Sequence, residues 1–476
     1  MADVIIVGGG PVGLWLACEL RLAGVDVIAL ERRIERVDQS RALSMHGRSL
    51  EIFGLRGLAE RFLKAGVKIP VGHFGALDTR LDFSAIDSSY AGSLFIAQRR
   101  TEELIEARLI ELGVDLRRGA YVEQVTDLGE RVHVEYSIDG RKETAEASYV
   151  VGADGARSAV RSRAGIEFPG SPGTFSGMMG DVVLGKSLPA PVISTVNDRG
   201  SIMIAPLGND RHHRIVIFHK NDLHKSKTDP LTIEELAIAT TDTLNDDLEI
   251  TSPLWLSRFD NETRLAAHYR KGRVLLAGDA AHIHLPAGGQ GMNVGLADAH
   301  NLGWKLAMVV KGEAPDALLD TYEAERRPIG EYLHDNTLAQ SLLITGFSPA
   351  ALALRTTLNG LLKVPEANLY LAQQISGFGF SYPKGLNSEP DEVQWRVADR
   401  RLVQSDGTTT SIYEGLRDGK WVHVALEGED EIALPGWLGR NNVTYLSPVS
   451  VDRGLFNAKA VLVRPDGYAA HTRWAA

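Results

Sequence analysis

The stretch VIIVGGGPVGLWLACELRLAGVDVIALE, residues 4 to 31, decides the fold class. A β-branched run from Val4 to Val7 meets three consecutive glycines, Pro11 opens a segment of helix formers, and a second apolar run ends at Glu31. Strand, glycine turn, helix and strand make a βαβ unit. Gly8 permits the tight turn, Gly10 lets backbone approach a pyrophosphate, and Gly13 allows the helix to pack closely on the strand. The helix start offers free N–H groups and about half a positive charge to phosphates. Glu31 stands 18 residues after Gly13, where a carboxylate can accept from ribose hydroxyls. A lone glycine trio is a weak signal. Here strand, helix and acid stand in order, so the stretch reads as a dinucleotide site, without distinguishing NAD from FAD.

Outward from this unit, the 476 residues are too many for one compact core and imply about two or three domains. Hydrophobic content of 44% and charged content of 24% belong to an ordinary globular chain. A net charge of −10 argues against a nucleic-acid partner, since phosphate binding relies on Lys and Arg. No basic start or cleavage pattern precedes the first strand, and no run of 18 apolar residues occurs. The expectation is a cytoplasmic protein with no membrane partner. Cys18 is the single cysteine, which excludes an internal disulfide and a cysteine metal cluster. In the first helix it reads as a small core residue.

Further along, TEELIEARLIEL (residues 101 to 112) has helical spacing, and VHVEYSI and SYVVGADG read as short strands. Residues 180 to 220, with GDVVLG, SIMIAPLG and HRIVIFHK, predict a mostly antiparallel sheet that could carry a substrate. GRVLLAGDAAH returns to a buried strand and a loop. GLADAHNLGWKLAMVV reads as a long amphipathic helix, and residues 347 to 375 as helical. GFGFSYPKGLNSEP is a boundary signal. Beyond it, residues 390 to 476 form a small α/β segment with strands in KWVHVAL and KAVLVRPDG.

A second glycine-rich stretch, LLAGDAAHIHLPAGGQGMN at residues 275 to 293, has three competing explanations. A second nucleotide site would need a strand before the glycines and an acidic strand after the helix, and neither is present. A metal site could use Asp279, His282 and His284, but no further carboxylate or cysteine supports them. The third explanation is the far wall of the first site.

The N-terminal fingerprint, YVVGADGARSAVR (residues 149 to 161) and GRVLLAGDAAHIHLPAGGQGMNVGLADAHNLGWKLA (residues 272 to 307) together resemble the FAD-dependent aromatic hydroxylases, the single-component class A flavoprotein monooxygenases. The match covers residues 1 to about 330 and favours the far-wall explanation. SPLWLSRFDNETRLAAHYRKGRVLLAGD and VLVRPDGYAA are similar to the polyketide-antibiotic branch, which includes rifampicin monooxygenases and angucycline and anthracycline hydroxylases. The resemblance implies an α/β fold with a Rossmann-like FAD-binding domain in residues 1–75, 98–178 and 265–378. A β-sheet substrate-binding domain would take residues 76–97 and 179–264, and a thioredoxin-like domain residues 385–476. With no cysteine after Cys18 that last domain cannot do dithiol chemistry, which leaves it a structural role or a homodimer contact.

The same resemblance implies non-covalent FAD, held by Gly8, Gly10, Val12, Gly13, Glu31 and Arg32 at the fingerprint. Asp279 would bind the ribityl or pyrophosphate portion. After Pro286, the loop carrying Gly289, Gly291, Met292 and Asn293 would run along the isoalloxazine. Its glycines would let N–H groups approach the pyrimidine edge, where charge accumulates on reduction. Arg41 matches an arginine that contacts the cofactor, and Gln98 a glutamine at the ribityl chain. Val122 matches a backbone position at the adenine, and Asp154 a residue serving flavin and nicotinamide binding together. Leu285 stands where relatives often carry a proline, and Leu43 and Ser44 where the residue near the ring varies, so substrate identity and flavin mobility stay open.

The implied reaction hydroxylates a phenolic polycyclic substrate with O2 and transiently bound NAD(P)H, through a flavin C4a-hydroperoxide in a dry pocket. Baeyer–Villiger insertion, antibiotic inactivation and non-enzymatic binding are other uses of this scaffold. His46 and His73 are candidates to activate a phenol; no catalytic base and no metal are assigned.

Overall fold

A computed structural model describes residues 2–36, 42–190, 192–207, 211–383 and 393–474. β1 (Val4–Val7) is buried along its whole length, and Gly8, at φ 118°, turns the chain into α1 (Pro11–Leu22). A Cβ on Gly8 would strike the Ala153 carbonyl, and one on Gly13 would strike the Gly8 carbonyl. Close approach of backbone to backbone therefore requires glycine at both positions. β2 (Val27–Glu31) returns parallel to β1. Next come α2 (Gly47–Gly54), α3 (Gln98–Glu111) and β3 (Asp115–Arg118), the last pairing with β2. An antiparallel excursion of β4 (Tyr121–Asp127), β5 (Val132–Ile138) and β6 (Arg141–Ala147) leads into β7 (Tyr149–Gly152) on the other side of β1.

The chain then builds a second sheet from β8 (Ser176–Leu184), β9 (Ile193–Val196), β10 (Gly200–Pro206) and β11 (His212–His219). After α4 (Ile233–Leu244), β12 (Ile250–Asp260) completes it. Its order is β9-β10-β11-β8-β12, antiparallel throughout, as the β-branched runs and turn signals in residues 180 to 220 anticipate. β13 (Val274–Leu276) goes back to the first sheet, whose order is Arg270–Lys271, β13, β7, β1, β2, β3. All of its pairs are parallel except the Arg270–Lys271 edge.

α5 (Gly291–Val310) corrects one expectation. The segment reads as amphipathic, yet α5 is buried on nearly every face. Gly295 abuts Val12 of α1, Gly303 abuts Glu19, and Trp304 and Met308 pack with Trp421 of the C-terminal segment. A helix enclosed on all sides has no solvent face for its charges, so Asp298 and Lys305 are buried too. The sequence reading passes over α6 (Asp320–Thr345), whose 26 residues carry Pro328 and a mixed polar composition. The helical region from 347 to 375 is two helices, α7 (Pro349–Leu361) and α8 (Pro365–Ser376), broken where Val364 precedes proline.

Within the boundary stretch, residues 384–392 lie outside the described residues. The C-terminal segment contains β14 (Trp421–Ala425), β15 (Val443–Leu446), β16 (Ala458–Val463) and β17 (Ala469–Trp474), in order β15-β14-β16-β17. β14 and β15 are parallel and the other pairs antiparallel. Among the described residues, no single helix is long and apolar enough to cross a membrane.

Candidate cofactor and substrate site

The N-cap of α1 is Gly10, with no side-chain cap and no acid in the first turn. Its leading N–H groups therefore stay open to a ligand. A Cβ placed on Gly10 would meet nothing within 4 Å, so the space beside the turn is free. Glu31 braces this turn: its carboxylate accepts from Gly9 N at 2.6 Å and from Arg33 N at 2.9 Å. Arg32 is exposed beside it. Ala120 N donates to the Glu31 carbonyl at 2.9 Å, which brings the start of β4, with buried Val122, to the Glu31 end of the turn.

The glycine approaches that force the fold also gather the site. Gly8 abuts Ala153 and Asp154, and Gly278 abuts Val12, so the β7 and β13 loops both reach the head of α1. Asp154 accepts from Ala159 N (2.7 Å) and Val160 N (3.3 Å) through Oδ2, while Oδ1 is buried without a partner. Burial raises the pKa of this carboxyl, although the Ser158 side chain and the backbone donors oppose the shift. Asp279 is exposed in the turn Gly278–Ala280. Gln98, at the start of α3, accepts from Ala42 N at 3.1 Å and donates to Glu102 at 2.8 Å. Arg41 lies outside the described residues.

The second glycine stretch closes on the same region. Pro286 is exposed, and Gly288 (φ 69°) and Gly289 (φ 65°) are both left-handed. Gly291 begins α5, whose N-cap Gln290 makes no side-chain cap and whose first turn has no acid. This is a second open helix N-terminus. Met292 is buried, whereas Asn293 is half-buried and ties the loop down. Asn293 Nδ2 donates to the carbonyls of Gly289 (2.8 Å) and Ser44 (3.0 Å), and Oδ1 accepts from His46 N and Ser49 Oγ, both at 2.7 Å. The residues weighed as metal ligands are not gathered on one ion. His282 Nε2 meets Asp298 at 2.7 Å, and Asp298 also accepts from Arg326 Nε at 2.7 Å. His284 Nδ1 donates to the Leu285 carbonyl at 2.6 Å.

Beyond the loop, Leu285 and Ala287 pack with Phe218 of β11 and with Ile344 and Phe347 at the end of α6. Phe218 meets Phe175 and Phe259 edge-on, at centroid distances of 5.9 and 5.3 Å. This apolar wall escapes the sequence reading, because its members lie far apart in the chain and only the sheet order joins them. Burial holds His46 and His73 at about 4. Both rings are therefore uncharged at neutral pH.

Open helix N-termini, a glycine-lined loop and an unpartnered buried acceptor fit a dinucleotide-sized cofactor. The profile of the FAD binding domain family matches residues 1–337, and the chain belongs to that family. It is an FAD-dependent aromatic monooxygenase. An uncharacterized aromatic compound monooxygenase of Bacillus subtilis is 44% identical over 477 residues, covering 99% of this chain and 94% of its own. A rifampicin monooxygenase of Streptomyces venezuelae is 37% identical, covering 100% and 96%. The solved structure of an anhydrotetracycline hydroxylase from Streptomyces rimosus superimposes with a TM-score of 0.89 at 40% identity, covering 99% of this chain and 96% of that one.

Proposed function

We propose that this chain is a self-sufficient hydroxylase of phenolic polycyclic compounds of the polyketide or antibiotic kind, drawing electrons from NAD(P)H and oxygen from O2. One observation carries the substrate class. The buried apolar cluster of Phe218, Leu285, Ala287, Ile344 and Phe347 continues directly from the glycine loop through Leu285 and Ala287 and brings hydrocarbon rather than charge to its side. Hydrocarbon surroundings of this kind favour flat aromatic rings and keep water away from oxygen chemistry. FAD supplies two-electron redox chemistry and oxygen activation when bound.

The chain's own groups do the rest. The α1 N-terminus receives the pyrophosphate at Gly10 and Val12, and Glu31 and Arg32 face the adenosine end. Asp154 and Asp279 take hydroxyl or amide groups of the ligand. Behind Pro286 and Gly289, the uncapped start of α5 at Gly291, Met292 and Asn293 presents N–H groups to the ring. Residues 1–75, 98–178 and 265–378 form the FAD-binding domain in this reading, and 76–97 with 179–264 the substrate domain. The thioredoxin-like reading of residues 385–476 is supported by the order β15-β14-β16-β17, a parallel pair extended by an antiparallel hairpin.

The test is anaerobic stopped-flow absorbance with NADH and NADPH, with and without phenolic polyketides, followed by mass and NMR of the aerobic product. Bleaching accelerated by a substrate that then gains one oxygen on a ring carbon is the expected result. A flavin that neither nicotinamide reduces, but that supplied reduced flavin replaces, would show a two-component oxygenase. Oxygen inserted into a carbon–carbon bond would show Baeyer–Villiger chemistry.

A further inference from the structure

We infer that His46 is a positioning residue that holds the glycine loop in its cofactor-binding shape, an assignment that rests on the flavin reading above. Two left-handed residues in succession, Gly288 and Gly289, have many other conformations open to them, because glycine lacks the Cβ that would confine it. Something outside the loop must select this one. His46 does so from the strand Ser44–His46, beside the start of α2. Its Nε2 lies 2.7 Å from the Gly288 carbonyl, and since a carbonyl can only accept, Nε2 carries the proton. Nδ1 is then the acceptor, and Ser93 Oγ donates to it at 2.9 Å. The His46 backbone N–H donates to Asn293 Oδ1 at 2.7 Å, and Asn293 in turn holds the Gly289 carbonyl at 2.8 Å.

One residue thus fixes the Gly288 carbonyl directly and the Gly289 carbonyl through Asn293; the Gly289 N–H is held inside the loop by the Pro286 carbonyl at 3.2 Å, and the N–H groups left for a ligand are those at the uncapped start of α5. The ring is 5% exposed, so water does not compete for either nitrogen. Its side-chain partners are a hydroxyl and a carbonyl; His73 is its titratable neighbour, and burial keeps both imidazoles neutral.

Three variants test the assignment, each measured for FAD dissociation by fluorescence, for the bound-flavin absorption spectrum and for melting of the apoprotein. His46→Leu removes the donor and should weaken FAD about tenfold and shift the bound spectrum. His46→Gln keeps an N–H that can reach the Gly288 carbonyl and should restore affinity to within about threefold of the parent. Ser93→Ala keeps the ring but loosens it, with an expected loss of about threefold; it decides the matter alone if His46→Leu does not fold. A His46→Leu protein that melts lower yet binds FAD with parent affinity and spectrum would overturn the assignment, as would failure of His46→Gln to recover binding or parent affinity in Ser93→Ala. A parent protein that binds no FAD at all would instead sink the flavin reading.

Discussion

At the scale of single residues, the site shows where stability has been set against binding. Asp154 keeps Oδ1 buried without a donor, and burial raises its pKa above the usual 3.8. A group whose folded pKa is raised favours the folded state while protonated and works against it once pH exceeds that value. Asp154→Asn should therefore leave apoprotein melting at pH 7 unchanged or higher while weakening FAD about tenfold; lower melting with unchanged affinity would contradict this. Three histidines act in the opposite sense. His46, His73 and His284 are held by burial at about 4, against 6.5 ordinarily. Between these values the unfolded chain binds protons that the folded chain refuses, so stability is full above pH 6.5 and declines as pH falls toward 4. Melting curves across that window should show the decline, and a flat profile would mean that these rings are not buried as described.

At the scale of elements, α5 links everything. It starts directly from the glycine loop, its flank packs on α1 through Gly295, and its far half meets the C-terminal sheet through Trp304 and Met308. A Cβ on Gly295 would lie 2.6 Å from Val12 Cγ2 and 3.1 Å from Gly278 Cα. Val12 lies in the first turn of α1 and Gly278 in the loop after β13. Gly295→Ala must push α5 away from α1 and should cost about 1–3 kcal/mol of stability as overpacking does, with weaker FAD binding alongside. Urea unfolding with and without added FAD checks this, and a variant as stable and as tight as the parent would show that α5 has room to move. The periodicity of residues 295 to 310 predicts the helix but not its burial, because polar residues such as Asp298 and Lys305 look like a solvent face until their partners are known.

At the scale of the whole molecule, those partners are buried charges contributed from far along the chain. Arg464, in the loop after β16, donates to both oxygens of Glu325 in α6 at 2.9 and 2.8 Å and also pairs with Asp466. Lys305 of α5 reaches Glu325 at 2.8 Å; burial lowers its pKa to about 8, against the pull of Glu325. Arg56 donates to Glu19 of α1 at 2.6 Å and to the Leu416 and Pro465 carbonyls at 2.9 and 3.1 Å. Burial alone would raise the Glu19 pKa, yet Arg56 and His300 hold it at about 2. The C-terminal segment is therefore not an appendage, since Arg464 and the Leu416 and Pro465 carbonyls complete the partners of Glu325 and Arg56. Arg464→Leu should cost about 3–5 kcal/mol, the usual result of breaking a buried pair from one side, measured by denaturant unfolding. A loss under ~1 kcal/mol, the range of exposed pairs, would show that water reaches the network.

The sequence by itself determined the local chemistry of this protein. Residues 4 to 31 specify a βαβ turn because glycine, apolar run and acid stand within a few residues of one another, and steric constraints act over that range. The antiparallel strands in residues 180 to 220, the strand ending at Leu276 and the buried Cys18 are legible for the same reason. Only the tertiary structure decided which distant residues meet. The Phe218–Phe259 wall depends on strand order, the His46 contact with Gly288 spans 242 positions, and Arg464 finds Glu325 across 139. Hydrogen bonds and apolar contacts reward proximity in space, and no periodicity along the chain records which segments folding will bring together.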